Sequence, residues 1–121
     1  MAQARGALAL RRAVAANDVV RALTEYGFTQ RQIASATGAT DRTVRNWATT
    51  GAIRPVYDER VRELSDIALL LSETMTARGV TQWFGARNRL LGGERPAELI
   101  ARDEVGPVRR AAASLVEGNY V

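Results

Sequence analysis

Apolar residues recur at intervals of three and four along most of the chain, the spacing of helices that bury one face. Residues 1–12 show no clear period, so we expect them to be frayed or weakly helical. A first helix is predicted over residues 13–26, or from near Val19 if a polar residue before it caps a shorter helix. Its apolar positions are Val14, Val19, Val20 and Leu23, its alternative caps are Asn17 and Asp18, and Gly27 ends it.

Two short helices joined by a tight turn are predicted over Gln30–Thr49. Thr29 caps the first helix (30–37), Gly38 ends it in a left-handed turn, and Thr40 caps the second (41–49). The predicted core positions are Ile33, Ala34, Thr37, Val44 and Trp47. This order of small, glycine, β-branched and aromatic residues is typical of a helix-turn-helix, whose second helix enters the DNA major groove. An ordinary helical hairpin is the alternative.

The remaining chain is also predicted to be helical. A long central helix runs from Val56 to Arg78 and is closed by Gly79. Shorter helices follow over 81–87, over 97–102 and from Val105 or Pro107 to Glu117. No β-strand is predicted. We therefore expect an all-α fold with an N-terminal helix-turn-helix bundle (residues 1–55), then the long helix and a small C-terminal helical domain (residues 56–121).

Composition argues against an enzyme. The chain has no cysteine, which excludes disulfides and thiolate metal sites, and no histidine, the usual general base and commonest metal ligand. No nucleophile–base pair, metal-ligand spacing or phosphate-binding loop is present, so we predict no catalytic residues, no metal and no cofactor. No apolar run approaches the ~20 residues needed to span a bilayer, and no secretory leader is evident. We expect a cytoplasmic protein without membrane association.

Positive charge is concentrated in the first half of the chain. The net charge is +4, and every basic residue is arginine. Residues 1–62 hold ten arginines against five acidic residues, whereas residues 63–121 hold seven against eight. The basic half contains the predicted helix-turn-helix, as expected of a module that faces DNA. A chance excess on a solvated surface is the alternative.

The candidate DNA contacts lie off the buried face of the second helix and at the first turn of the helix before it. Arginine can pair with guanine and asparagine with adenine in the major groove, while free N–H groups at a helix start favour phosphate. The candidate set is Thr29, Gln30, Arg31, Asp41, Arg42, Arg45, Asn46 and Thr49. Weaker phosphate candidates are Arg11, Arg12 and Arg21.

Two aromatic residues mark the C-terminal part. Trp83 and Phe84 are adjacent, so on a helix at least one packs inward and the other is available to mark a partner surface. Asn88, beside a turn, is either a cap or a contact. On physical grounds alone, the tail Glu117–Val121 is predicted to be a frayed end.

Residues 81–121 resemble the toxin-binding domain of Xre/ParS/MbcA-type antitoxins. The resemblance rests on Trp83-Phe84, Asn88, Leu91, Gly93, Pro96 and Leu99, followed by a helix and an EGxxV ending. A helix-turn-helix upstream is usual in that family, so the resemblance covers about residues 18–121.

The resemblance implies an antitoxin of a type II toxin–antitoxin system, whose partner is a RES-domain toxin that consumes NAD. The antitoxin would cover the entrance of the toxin's active site by steric exclusion, so the tail would be functional and not merely frayed. The implied toxin-binding residues are Trp83, Phe84, Arg87, Asn88, Glu117, Gly118, Asn119, Tyr120 and Val121. It also implies a homodimer, a higher toxin–antitoxin assembly, and repression of the protein's own operon through operator DNA.

A second resemblance points elsewhere. The segment TVRNWATTGAIRP (residues 43–55) is similar to the recognition helix of MerR-like regulators. Those proteins begin their DNA-binding motif at the N-terminus and continue into a wing, and neither holds here. A stand-alone helix-turn-helix repressor without a toxin partner remains the alternative function, and an adaptor whose helix-turn-helix does not engage DNA is the third.

Overall fold

The computed structural model describes residues 2–49 and 51–118, and within them the secondary structure is helical. The helices are α1 (Ala2–Arg12), α2 (Ala16–Tyr26), α3 (Gln30–Thr37), α4 (Asp41–Trp47), α5 (Pro55–Leu71), α6 (Ala77–Gly85), α7 (Pro96–Ala101) and α8 (Val105–Val116), with a 3₁₀ turn at Arg89–Leu91. In this part of the chain the β-pairing is limited to an isolated bridge between Asn88 and Glu94. The predicted all-α fold is confirmed.

Helix α5 is the centre of the fold. It packs against α1, α2 and α3 and also against α6, α7 and α8. Its buried apolar residues are Val61, Leu64, Ile67, Ala68 and Leu71. Helix α3 also packs directly on α7, so one continuous core joins the helix-turn-helix to the C-terminal helices. The division of the chain into residues 1–55 and residues 56–121 stays a prediction.

The central helix is shorter than predicted, because it ends at Leu71 and not at Arg78. The Ser72 hydroxyl donates to the Leu69 carbonyl (2.6 Å), and Thr76 caps α6 by accepting from the Gly79 amide (3.1 Å). Gly79, predicted to close the helix, therefore lies inside α6, which begins four residues earlier than expected. The prediction is wrong because apolar spacing continues across residues 72–76, while local hydroxyl bonds break the helix there.

The N-terminal segment differs from its prediction as well. Residues 2–12 form a regular helix, and Leu10 is 2% exposed in the core. The alanine-rich sequence favours a helix, and packing on α2 and α5 stabilises it. Helix α2 then begins at Ala16, between the two predicted starts, and its first turn has no side-chain cap. Val14, expected in the core, lies in the connection and is 78% exposed.

The helix-turn-helix has the predicted local structure. Thr29 and Gln32 form a reciprocal capping box at the start of α3. Gly38 has a φ of +83°, the left-handed conformation that glycine adopts at least cost. Thr40 accepts from the Thr43 amide (3.1 Å) at the start of α4. The five predicted core positions of this motif are all buried, although α4 ends at Trp47, two residues before the predicted end.

Candidate DNA-facing and partner-facing surfaces

The exposed face of α4 carries free cationic side chains. Val44 and Trp47 are buried, and Arg42, Arg45 and Asn46 are exposed. The guanidinium groups of Arg42 and Arg45 have no hydrogen bond or ion pair within the described residues. These side chains are therefore available to contact base edges or phosphates.

The first turns of α3 and α4 lie side by side. Arg31 is highly exposed, and its Nε lies 3.8 Å from an Asp41 carboxylate oxygen. Thr29 uses its hydroxyl in the cap of α3, and Gln30 is half-buried. Thr49 follows the end of α4 and donates its hydroxyl to the Asn46 carbonyl (2.9 Å). The predicted DNA contacts thus lie on α4 and beside its two ends. Four of them already have partners within the chain: Thr29, Arg31, Asp41 and Thr49.

Two residues of α2 hold the C-terminal end of α4, a contact that sequence reasoning missed. The Asn17 side-chain amide donates to the carbonyls of Trp47 (2.7 Å) and Gly51 (2.9 Å). Arg21 donates to the Ala48 carbonyl (3.1 Å) and pairs with Asp18. Asn17 therefore caps α4 and not its own helix, and Arg21 is engaged within the protein. No local signal indicates these bonds, because their partners are about 30 residues apart in sequence.

A groove of about 280 Å³ lies between the end of α6, the 3₁₀ turn and α8. Its lining residues are Trp83, Arg87, Asn88, Arg89, Leu90, Ala111 and Leu115. We call it the Trp83 groove. Leu90 is 51% exposed, and the half-buried Trp83 ring stands edge-on to Phe84, with ring centroids 5.1 Å apart. Apolar anchors flanked by exposed arginines are typical of a protein-binding surface.

The predicted toxin-binding residues divide between this groove and the rest of the molecule. Phe84 is 3% exposed and packs against Phe28, so its assignment as a surface contact is corrected to the core. The prediction that one of the two aromatics packs inward is confirmed. Asn88 caps the 3₁₀ turn by accepting from the Leu90 amide (2.9 Å). Trp83 and Arg87 line the groove, whereas Arg89, Leu90, Ala111 and Leu115 were not predicted.

Helix α8 ends beside this groove. Glu117 follows its last residue and is exposed, and Gly118 has a φ of +75°. Leu115, one half-turn before Glu117, lines the groove. The predicted contacts Asn119, Tyr120 and Val121 lie outside the described residues.

Arg60 of α5 connects the helix-turn-helix to the turn between α7 and α8. Its guanidinium donates to the Thr37 carbonyl at the end of α3 (2.8 Å) and to both carboxylate oxygens of Asp103 (3.0 and 3.1 Å). The hydrogen bonds from Arg60 hold the pKa of Asp103 below its usual value. The Arg60 side chain is only 14% exposed whereas the Asp103 side chain is 61% exposed, so the bond to the Thr37 carbonyl is the shielded part of this connection.

Two kinds of site are not seen in the part of the chain that the structure describes. Its acidic residues form no cluster suited to hold a metal ion. Its helices include none with the length and hydropathy required to cross a bilayer.

Comparison with known proteins identifies the family. Over 95% of its length the chain is 48% identical to the probable mycobacterial cidal antitoxin Rv3188 of Mycobacterium tuberculosis, and it covers 99% of that protein. The chain belongs to the mycobacterial cidal antitoxin family. Over 89% of its length it is also 29% identical to the mycobacterial cidal antitoxin MbcA of Mycobacterium bovis, covering 96% of it. No family model matches the chain.

The fold of this antitoxin is also seen in a solved structure. It is similar to a chain of the crystal structure of the Mycobacterium tuberculosis MbcT–MbcA toxin–antitoxin complex, with a TM-score of 0.75 and 25% identity. The similarity covers 90% of this antitoxin and 100% of that chain. The predicted membership among MbcA-type antitoxins is thereby confirmed.

Proposed function

We propose that this antitoxin binds a cognate toxin through the Trp83 groove and the end of α8, and that the toxin is a RES-domain enzyme that consumes NAD. The observation that carries the proposal is the groove itself, which the exposed Leu90 and the half-buried Trp83 line together with Arg87 and Arg89. Such a surface supplies an apolar centre with charged neighbours, the arrangement in which a few residues contribute most of the binding energy. The solved MbcT–MbcA toxin–antitoxin complex supports a toxin partner.

Inhibition would be steric. Leu115 lines the Trp83 groove, and Glu117 directly follows the last residue of α8, so the chain leaves its last helix beside the proposed interface. From there, residues 117–121 would cover the entrance through which NAD reaches the toxin's active site. The antitoxin would then need no catalytic residue of its own.

The same protein would repress its own operon. Arg42 and Arg45 are exposed and unpaired within the described residues, and they lie on the helix that the motif presents to the major groove. A homodimer would place two such helices on the half-sites of a palindromic operator, and toxin binding would build a higher assembly on it.

The test is to co-express the antitoxin with the toxin encoded by the neighbouring gene and to measure NAD consumption. Deleting Asn119–Val121 should release toxin activity while leaving the thermal midpoint of the antitoxin unchanged, because the deleted residues follow the last helix. The control is Arg45→Ala, which should neutralise the toxin fully and weaken operator binding. If the truncated chain neutralises as well as the full chain, the tail mechanism is wrong.

A further inference from the structure

A second groove, of about 300 Å³, lies beside the helix-turn-helix. The turn and α4 form one wall, and the start of α5 forms the other. The residues that matter for its chemistry are Thr40, Thr43, Trp47, Arg54 and Tyr57. We call it the Arg54 groove. It adjoins α4, the helix proposed to read DNA, and none of the earlier candidate contacts belongs to its α5 wall.

The Arg54 groove offers hydrogen-bond donors. The Thr40 hydroxyl donates to the Thr43 hydroxyl oxygen (2.9 Å), so the Thr43 proton is available to an acceptor outside this pair. Arg54 is exposed, and within the described residues its guanidinium has no hydrogen-bond or ion-pair partner. The rings of Trp47 and Tyr57 pack against each other with centroids 5.4 Å apart, so this contact joins the two walls of the groove.

The local charge around Arg54 is not neutralised. The described residues that line the groove include no acidic side chain. The acidic residues in the first turns of α4 and α5 are paired with other arginines: Asp41 with Arg31 (3.8 Å) and Asp58 with Arg62 (2.5 Å). The groove therefore presents a cation and hydroxyl donors without a competing carboxylate, which suits an anionic partner.

We infer that the Arg54 groove receives a backbone phosphate of operator DNA, and that Arg54 is a DNA-contact residue. A helix in the major groove has a sugar–phosphate strand on each side of it. The first turn of α3 would face one strand with Thr29, Gln30 and Arg31, and the Arg54 groove between α4 and the start of α5 would face the other. Arg54 and Thr43 would donate to phosphate oxygens of the second strand, which positions α4 without reading sequence. This inference rests on the proposed operator binding.

The experiment measures binding to a duplex from upstream of the antitoxin gene, by fluorescence anisotropy across a series of KCl concentrations. Arg54→Ala should weaken binding to the operator and to a scrambled duplex by a similar factor. It should also reduce the slope of log K against log salt by about one, the signature of one lost phosphate contact. Arg54→Lys, which keeps the charge, should retain the slope. Arg78→Ala, which removes an exposed arginine of α6, is the matched control and should behave as wild type.

Three results would overturn the inference. Arg54→Ala with wild-type affinity and slope, beside an Arg45→Ala variant that has lost affinity, would exclude the phosphate contact and leave the proposed repressor function intact. Loss of discrimination between operator and scrambled duplex without a change in slope would make Arg54 a base contact instead. Failure of the wild-type chain to bind either duplex would remove both proposals.

Two further measurements separate DNA binding from other effects. Arg54→Ala should keep its thermal midpoint and its neutralisation of the toxin, because the side chain is exposed and the Arg54 groove shares no lining residue with the Trp83 groove. Inorganic phosphate should compete with the duplex no more strongly than KCl of equal ionic strength.

Discussion

At the scale of single residues, Glu63 of α5 is in an unfavourable environment. One of its carboxylate oxygens is buried, without a hydrogen-bond partner among the described residues. Burial raises the pKa of Glu63, and the neighbouring Glu59 raises it further, whereas Arg109 on α8 opposes the change. The folded chain thus holds this proton more tightly than the unfolded chain does. As pH rises from the ordinary Glu pKa through the raised pKa, the free energy of unfolding falls, and the loss is complete above the raised pKa.

Replacing Glu63 with glutamine should therefore stabilise the protein at neutral pH. We expect Glu63→Gln to raise the free energy of unfolding at pH 7 by about 1 kcal/mol, the order of the cost of an unsatisfied buried polar group. Below the ordinary Glu pKa the gain should vanish, because the wild-type carboxyl is then protonated in both states. Urea denaturation at the two pH values measures this, with the exposed Glu73→Gln as control. A less stable variant at pH 7 would mean that attraction to Arg109 outweighs burial.

At the scale of elements, α4 depends on bonds made at its two ends. A helix of seven residues is not stable alone, so its caps and packing determine whether it forms. Thr40 caps its start, and Asn17 binds the carbonyls of Trp47 and Gly51 beyond its end. Gly51 approaches the helix closely, since a Cβ atom there would lie 2.9 Å from the Asn46 carbonyl oxygen. The position of the proposed recognition helix is therefore set by contacts outside it.

Adding a methyl group at Gly51 should disturb α4, because it would crowd the Asn46 carbonyl oxygen. We expect Gly51→Ala to lower the free energy of unfolding by roughly 1–3 kcal/mol, the usual cost of overpacking, and to weaken operator binding. Gly85→Ala is the matched control, because a Cβ at Gly85 meets nothing within 4 Å. It should be neutral or slightly stabilising. Chemical denaturation and anisotropy measure the two effects, and equal behaviour of both variants would refute the proposed crowding at Asn46.

At the scale of the whole molecule, the helix-turn-helix and the C-terminal helices share one core. Helix α3 packs on α7, and Arg60 bonds both the Thr37 carbonyl and Asp103. The two proposed activities, operator binding and toxin binding, would thus be performed by different regions of one cooperative unit. Because these contacts are long-range, unfolding of either half should expose apolar surface of the other.

Removing the Arg60 connection tests this cooperativity. We expect Arg60→Met to lower the free energy of unfolding by about 2 kcal/mol, because the largely shielded Arg60 guanidinium would no longer donate to the Thr37 carbonyl. Arg62 lies on the same helix, and its exposed guanidinium pairs with Asp58 and donates to the Val14 carbonyl (2.8 Å). Because both bonds are exposed, Arg62→Met should cost less than about 1 kcal/mol. Denaturation followed by circular dichroism and by tryptophan fluorescence should give coincident single transitions. Two separate transitions would show that the halves unfold independently.

The sequence by itself determined the helix-turn-helix and the all-α class, because their signals are local. Thr29 and Thr40 cap adjacent N–H groups, Gly38 adopts a positive φ, and Val44 and Trp47 repeat at helical spacing. Such features depend on residues within one or two turns of each other.

Only the tertiary structure decided which surfaces these helices leave open and which bonds hold them. In the folded protein the central helix ends at Leu71, and the N-terminal helix packs on the core through Leu10. Phe84 is buried, whereas Trp83 lines a groove. The tertiary structure also brought Asn17 to the end of α4 and Arg54 beside Thr43. These outcomes depend on packing between residues far apart in sequence, and the period of a helix contains no information about which distant element covers each face.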